Sequence, residues 1–153
     1  MIKPCTLRDL STLQEIFQRY YNSNQILWVR ERIYSEVHKL FLFKEELVVS
    51  YEMIGEYKYC VHLVGHTKDI KGLRDFIIQT GSWMMDNTRC RCILAFASEE
   101  NKRLQMFIGL TGGKRLCTIP NAGGDTSEVL YIYPFESKKE LEGRVKWATQ
   151  YQQ

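Results

Sequence analysis

Leu7, Leu10, Leu13, Ile16, Phe17 and Tyr20 recur at intervals of three and four, the spacing that lines one face of an α-helix. Thr6 and Asp9 stand at its head as T-x-x-D, a capping box in which two side chains satisfy orphan N–H groups of the first turn. The pattern predicts a helix from Thr6 to about Tyr20, with residues 1–5 as a short extended start and Asn22-Ser23-Asn24 as a break. Ile26, Val29, Ile33 and Val37 then mark a second helix, with Trp28 alongside. Beyond it the period shifts toward two. Residues 40–43, 47–54 and 57–64 read as strands, with Lys44-Glu45-Glu46 and Gly55 at the turns, which is the signature of an antiparallel meander. On the third of these, Tyr57, Tyr59, Val61 and Leu63 share one face and Cys60, His62 and Val64 the other.

A polar connection at 65–71 leads into Leu73, Phe76, Ile77 and Thr80, again at helical spacing, with Trp83 and Met84 extending the stripe. The run 90–97 is apolar almost throughout and suits a strand buried on both faces. A short helix over 101–110 follows. Ser98 is its expected cap, Glu99 and Glu100 lie near the positive end of its dipole, and a left-handed glycine is expected at its close. Strands at 115–119 and 129–133 flank a Pro/Gly/Asn loop at 120–125. The order β-α-α-β-β-β-α-β-α-β-β predicts an α+β (mixed α/β) domain over residues 1–135. Its sheet is mostly antiparallel, its helices lie on the faces, and the long third helix forms a right-handed parallel crossover. Residues 136–153 form a charged tail with helical character.

Composition narrows the class. With 153 residues, 44% hydrophobic and 25% charged, the chain has the make-up of one folded domain, and a net charge of +3 does not mark it as a nucleic-acid binder. Arg89, Arg91, Lys102, Arg103, Lys114 and Arg115 lie near turns and read first as solvated surface, with contact to nucleic acid or an acidic partner as the alternative if they converge. Five scattered cysteines predict reduced thiols and an intracellular setting. Cys90 and Cys92 form a C-x-C pair that the three histidines do not complete into a metal site, so no metal is expected. No apolar run approaches the ~20 residues of a membrane span, and residues 1–10 lack the shape of a signal peptide; both predict a cytoplasmic protein.

The element order resembles that of the GCN5-related N-acetyltransferases, as does the opening I-K-P-C-T-L-R-D-L. A helix motif of that family falls on Asn101, Leu104, Phe107 with Ile108, and Gly112. The resemblance implies a tyrosine at Ile108, where its hydroxyl protonates the departing thiolate; isoleucine has no proton to give. It also implies a pyrophosphate loop, Q/R-x-x-G-x-G/A, whose backbone N–H groups hold the coenzyme at a helix N-terminus. Here the segment is G-H-T-K-D-I-K-G-L-R. Asp69 stands at the Q/R place, Gly72 at the first glycine and Arg74 at the second small position, with Lys68 and Lys71 nearby.

With both landmarks altered, the chain also resembles the small head-assembly and virion proteins of short-tailed temperate enteric bacteriophages, through its length, T-L-R-D-L, G-H-T-K-D-I-K-G and N-K-R-L-Q-M-F-I-G. That resemblance implies a catalytically inactive protein with no cofactor and no catalytic residue. Its partners would be phage structural or assembly proteins, and its place the infected host's cytoplasm or the virion. The alternative is an acetyl-CoA-dependent N-acetyltransferase with a divergent loop. In it Lys71, Gly72 and Leu73 hold the pyrophosphate, Asn101 meets the pantetheine side, and Glu52, Glu56 or His62 assists the amine. An opening between the two central strands favours the alternative. Gly112-Gly113-Lys114 lacks the spacing of a phosphate loop and reads as a helix end, and Tyr131, Tyr133 and Phe135 read as core or as a partner face.

Overall fold

The computed structural model describes residues 2–20 and 26–134. The domain boundary at 135 and the tail 136–153 therefore lie outside the described residues, as do Phe135 and the side chain of Trp28. The Thr6/Asp9 capping box forms as its spacing predicts: Thr6 N–H donates to Asp9 Oδ2 at 2.8 Å and the Thr6 side chain accepts from the first turn. That first turn, Leu7–Asp9, is a tight 3₁₀ turn before α1 (Leu10–Tyr20). α2 (Ile26–Tyr34) ends short of Val37, whose N–H turns back to the Ser35 hydroxyl. The extended start does not become a strand. Cys5 N–H reaches Leu40 O, and at Thr6 the chain already turns into the capped first turn.

The meander is β1 (His38–Phe43), β2 (Leu47–Gly55) and β3 (Lys58–Gly65); α3 (Ile70–Asn87) then crosses to β4 (Cys92–Ser98), and α4 (Lys102–Leu110), β5 (Lys114–Ile119) and β6 (Glu128–Tyr133) complete the chain. The six strands lie in the order β1-β2-β3-β4-β6-β5, antiparallel throughout except for β3 and β4. This is the mixed α+β architecture with a mostly antiparallel sheet that the sequence predicts. Strand alternation sorts two cores. Phe41, Val49, Tyr51, Val61, Ile93 and Tyr131 face Leu73, Ile77 and Met84 of α3 and Ile108 of α4. Leu40, Val48 and Val64 face Leu13, Ile16 and Phe17 of α1 and Val29 of α2. Each fully buried aliphatic side chain contributes roughly 1.5–3 kcal/mol relative to exposure.

Two local expectations change. β4 alternates, with Ile93, Ala95 and Ala97 buried and Cys92, Leu94 and Phe96 half-buried, because α1 and α2 cover mainly the meander end of the sheet. Cys90 lies before the strand, which starts at Cys92 and not at residue 90, and its thiol rests against Cys92 O at 3.7 Å. Among the described residues no group of three His, Cys, Asp or Glu side chains converges on a metal position, and no helix is long and apolar enough to cross a membrane.

Candidate functional site: a cleft where two parallel strands part

β3 and β4 run side by side for only three residue pairs, from Lys58↔Cys92 to Cys60↔Leu94. Beyond Leu94 the rest of β4 pairs with β6, and β3 continues with β2 to Gly65, so the two strands part toward their C-terminal ends. Gly65 marks the end of β3 with a φ of 123°. A Cβ there would lie 2.4 Å from Glu46 O, so only glycine permits this close approach to the preceding hairpin. The open end is bounded by the start of α3 and one side of α4.

A cleft of about 430 Å³ occupies this position. Its wall is largely apolar, formed by Leu63 of β3, Leu73 of α3, and Leu104, Phe107 and Leu110 of α4. Arg103 is the one lysine or arginine along it among the described residues, and no carboxylate lines it. Of the four residues the sequence proposes for a coenzyme, Leu73 and Asn101 reach the cleft wall; Lys71 and Gly72 do not. Lys71 is exposed on the first turn of α3. Asn101, rather than Ser98, caps α4: its Oδ1 accepts from Leu104 N–H at 3.0 Å, and Ser98 closes β4 instead. The side chain that could meet a ligand is thus engaged in holding its own helix.

The start of α3 is likewise engaged. Asp69 is its N-cap, with Oδ1 accepting from Gly72 N–H at 2.9 Å and Oδ2 paired with Lys44 Nζ at 2.5 Å. Ile70 N–H goes to Lys68 O and Leu73 N–H to Asp69 O. The carboxylate therefore occupies the place of an anion at this helix start. Hydrogen bonding from Lys44, then from Gly72 N–H, holds its carboxyl below the usual range. Sequence reading places Asp69 at this position but misses Lys44, which lies 25 residues away and arrives only when the β1–β2 turn folds beside α3.

Ile108 lies 3% exposed in the core beneath α4, and a Cβ on Gly113 would sit 2.4 Å from its Cγ2. It does not line the cleft. Thr111 closes the helix: its hydroxyl meets the Tyr133 hydroxyl at 2.7 Å and the carbonyls of Phe107 and Ile108 at 3.1 and 3.0 Å. Gly112 follows with a φ of 104°, the left-handed close that the sequence predicts.

The proposed bases divide. Glu56 is at the sheet end, 3.5 Å from Arg89. Glu52 and His62 meet on the α1/α2 side of the sheet: Glu52 Oε2 lies 3.5 Å from His62 Nε2, and its Oε1 lies 3.6 Å from His38 Nε2. Register creates this trio. The turn at 44–46 sets His38 opposite Glu52, and pairing of Ser50 with His62 leaves Glu52 diagonal to the second imidazole. Burial, ahead of the attraction of Glu52, pushes both imidazoles below their ordinary value. His38 was not among the sequence candidates, because its partner is fixed by the hairpin rather than by local pattern. Burial raises Cys60 to about 12 and Cys90 to about 11, leaving both thiols protonated at neutral pH.

This arrangement, a six-stranded sheet parted between its central parallel strands with helices on both faces, is the GNAT acetyltransferase fold. Solved structures share it across nearly the whole chain. A GNAT-family acetyltransferase from Bacillus cereus superposes with a TM-score of 0.65 at 12% identity, covering 89% of this chain and 97% of its own. A mutant spermidine N-acetyltransferase from Vibrio cholerae gives 0.67 at 10% identity, covering 86% and 93%. An N-acetyltransferase from Staphylococcus aureus gives 0.65 at 18% identity, covering 87% and 96%. No protein-family model matches the sequence, and no curated protein does.

Proposed function

We propose that this chain is an acetyltransferase-fold protein that acts by binding and not by acetyl transfer, serving as a head-assembly or minor virion protein of a bacteriophage. The observation that carries the non-catalytic half is Asp69. A fixed carboxylate, hydrogen-bonded to Gly72 N–H and paired with Lys44, stands where a diphosphate would need those same donors. A second anion beside it would be repelled. Ile108 offers no proton donor and is packed into the core. The phage setting, with structural or assembly proteins as partners, rests on the sequence segments that resemble such proteins.

A second reading, an acetyl-CoA-dependent N-acetyltransferase, has more support from the solved neighbours than the phage setting does, and two observations favour it. β3 and β4 part as a pantetheine-binding gap requires, and the solved neighbours are N-acetyltransferases, one of them named for spermidine. In that reading Leu73 and Asn101 flank the coenzyme arm. Lys71 reaches a phosphate, Gly72 is released when Asp69 swings away, and the Glu52–His62 pair takes the proton of the amine.

Titration of the purified protein with acetyl-CoA, followed by calorimetry and thermal melting, separates the two. The first reading expects no heat and no rise in melting temperature, since a ligand that binds only the folded state must stabilise it. Micromolar binding, with release of free coenzyme A when a polyamine is added, establishes the second.

A further inference from the structure

The cleft retains its shape while the anion cradle beside it is filled, and the two facts together constrain what can enter. Coenzyme A carries several phosphate charges. Among the described residues the cleft wall offers one arginine, Arg103, and one imidazole, His66, and the neighbouring helix start is already capped by Asp69. Most of the remaining wall is hydrocarbon, from Leu63, Leu73, Leu104, Phe107 and Leu110, with His66, Thr67 and Asn101 as its polar members. Arg103 is exposed on the first turn of α4, where the helix dipole adds further positive potential. Leu110 at the far end of the same helix is 54% exposed, and Met106 between them 63%, so the apolar lip stays open to solvent. A volume near 430 Å³ falls within the range of roughly 300–1,000 Å³ typical of small-molecule sites.

From this we infer that the cleft binds an amphiphile with one anionic head and an unbranched hydrocarbon body, such as a medium-chain fatty acid. The carboxylate pairs with Arg103 and the chain lies along the apolar side of α4. This extends the non-catalytic reading, because it names the ligand class of a cleft that the coenzyme does not fill. Burial of the chain supplies affinity through apolar area, and the guanidinium fixes its direction.

The test is calorimetry with decanoate below its micelle-forming concentration, with decanol and acetyl-CoA as comparison ligands. The expected result is one decanoate per chain, with decanol binding more weakly. Arg103→Gln should weaken decanoate about tenfold, as loss of one charge-assisted hydrogen bond implies, and leave decanol unchanged. Leu110→Glu, at an exposed position that leaves the core intact, should weaken both. Absence of decanoate binding overturns the inference, as does decanoate binding that neither variant alters. If decanoate and acetyl-CoA both fail to bind, only this inference falls and the non-catalytic reading stands. If acetyl-CoA binds more tightly than decanoate, both fall.

Discussion

Asp69 shows how a single side chain redirects a site. As the N-cap of α3 it satisfies Gly72 N–H, and its bond to Lys44 ties that helix to the β1–β2 turn. Its carboxyl is held below the ordinary value near 3.8, so its stabilisation is complete above that value and is lost as pH falls through the lower, folded value. Asp69→Ala should therefore melt at a lower temperature than the parent at pH 7, and the difference should shrink as pH falls below 3.8. A gap that stays constant as the pH is lowered would show that the carboxylate's charge is not what matters. His38 and His62 carry the same sign for a different reason. Burial holds both imidazoles below the ordinary value near 6.5, so the unfolded chain binds protons first. Stability should decline as pH falls below about 6.5 and level off below the folded values. Urea melts between pH 7.5 and 5 measure this, and replacing both histidines with glutamine should flatten the slope.

At the scale of elements, the hairpin between β1 and β2 carries strain. Lys44 and Glu45 adopt φ values of 49° and 57°, the left-handed pair of a tight hairpin turn that glycine and asparagine usually occupy. Glu45→Gly should stabilise the fold by about 1 kcal/mol, the order of the left-handed penalty for a residue with a Cβ. An unchanged denaturation midpoint would mean that the turn relaxes without cost. At the other end of the sheet, the Thr111–Tyr133 bond joins the close of α4 to the last strand. Tyr133→Phe leaves the buried Thr111 hydroxyl with its carbonyl acceptors but without this partner, and should cost about 1–2 kcal/mol. Because α4 forms one side of the cleft, hydrogen exchange in residues 102–110 should rise with it.

For the molecule as a whole, the sheet separates two cores, one under α1 and α2 and one under α3 and α4. Leu13 and Ile77 are each about fully buried, one in each core. Alanine at either position should cost roughly 2–5 kcal/mol. If the sheet couples the two layers, each variant should still unfold in one transition by near- and far-ultraviolet circular dichroism; two separated transitions would show that the layers melt independently. The same coupling positions the cleft. β4 leaves β3 after Leu94 because β6 takes its other side, and α4, following β4 directly, folds back to close the opening.

The sequence by itself determined much of this. The period of its apolar residues set the helices and strands, T-x-x-D set the first cap, and the altered residues Asp69 and Ile108 were visible as departures from the acetyltransferase pattern. These are local properties, written in spacings of two to four residues. The initial strand of the predicted order and the Ser98 cap were misread locally: the chain turns at Thr6 after one backbone bond to Leu40, and Asn101 provides the better-placed acceptor. Only the tertiary structure decided that Lys44 meets Asp69, that His38 joins Glu52 and His62, that Ile108 belongs to the core, and that Arg103 stands at an apolar cleft. Those pairings join distant parts of the chain, and no local period carries them. They follow from strand register and from the parting of β3 and β4, which exist only once the sheet and its helices have packed.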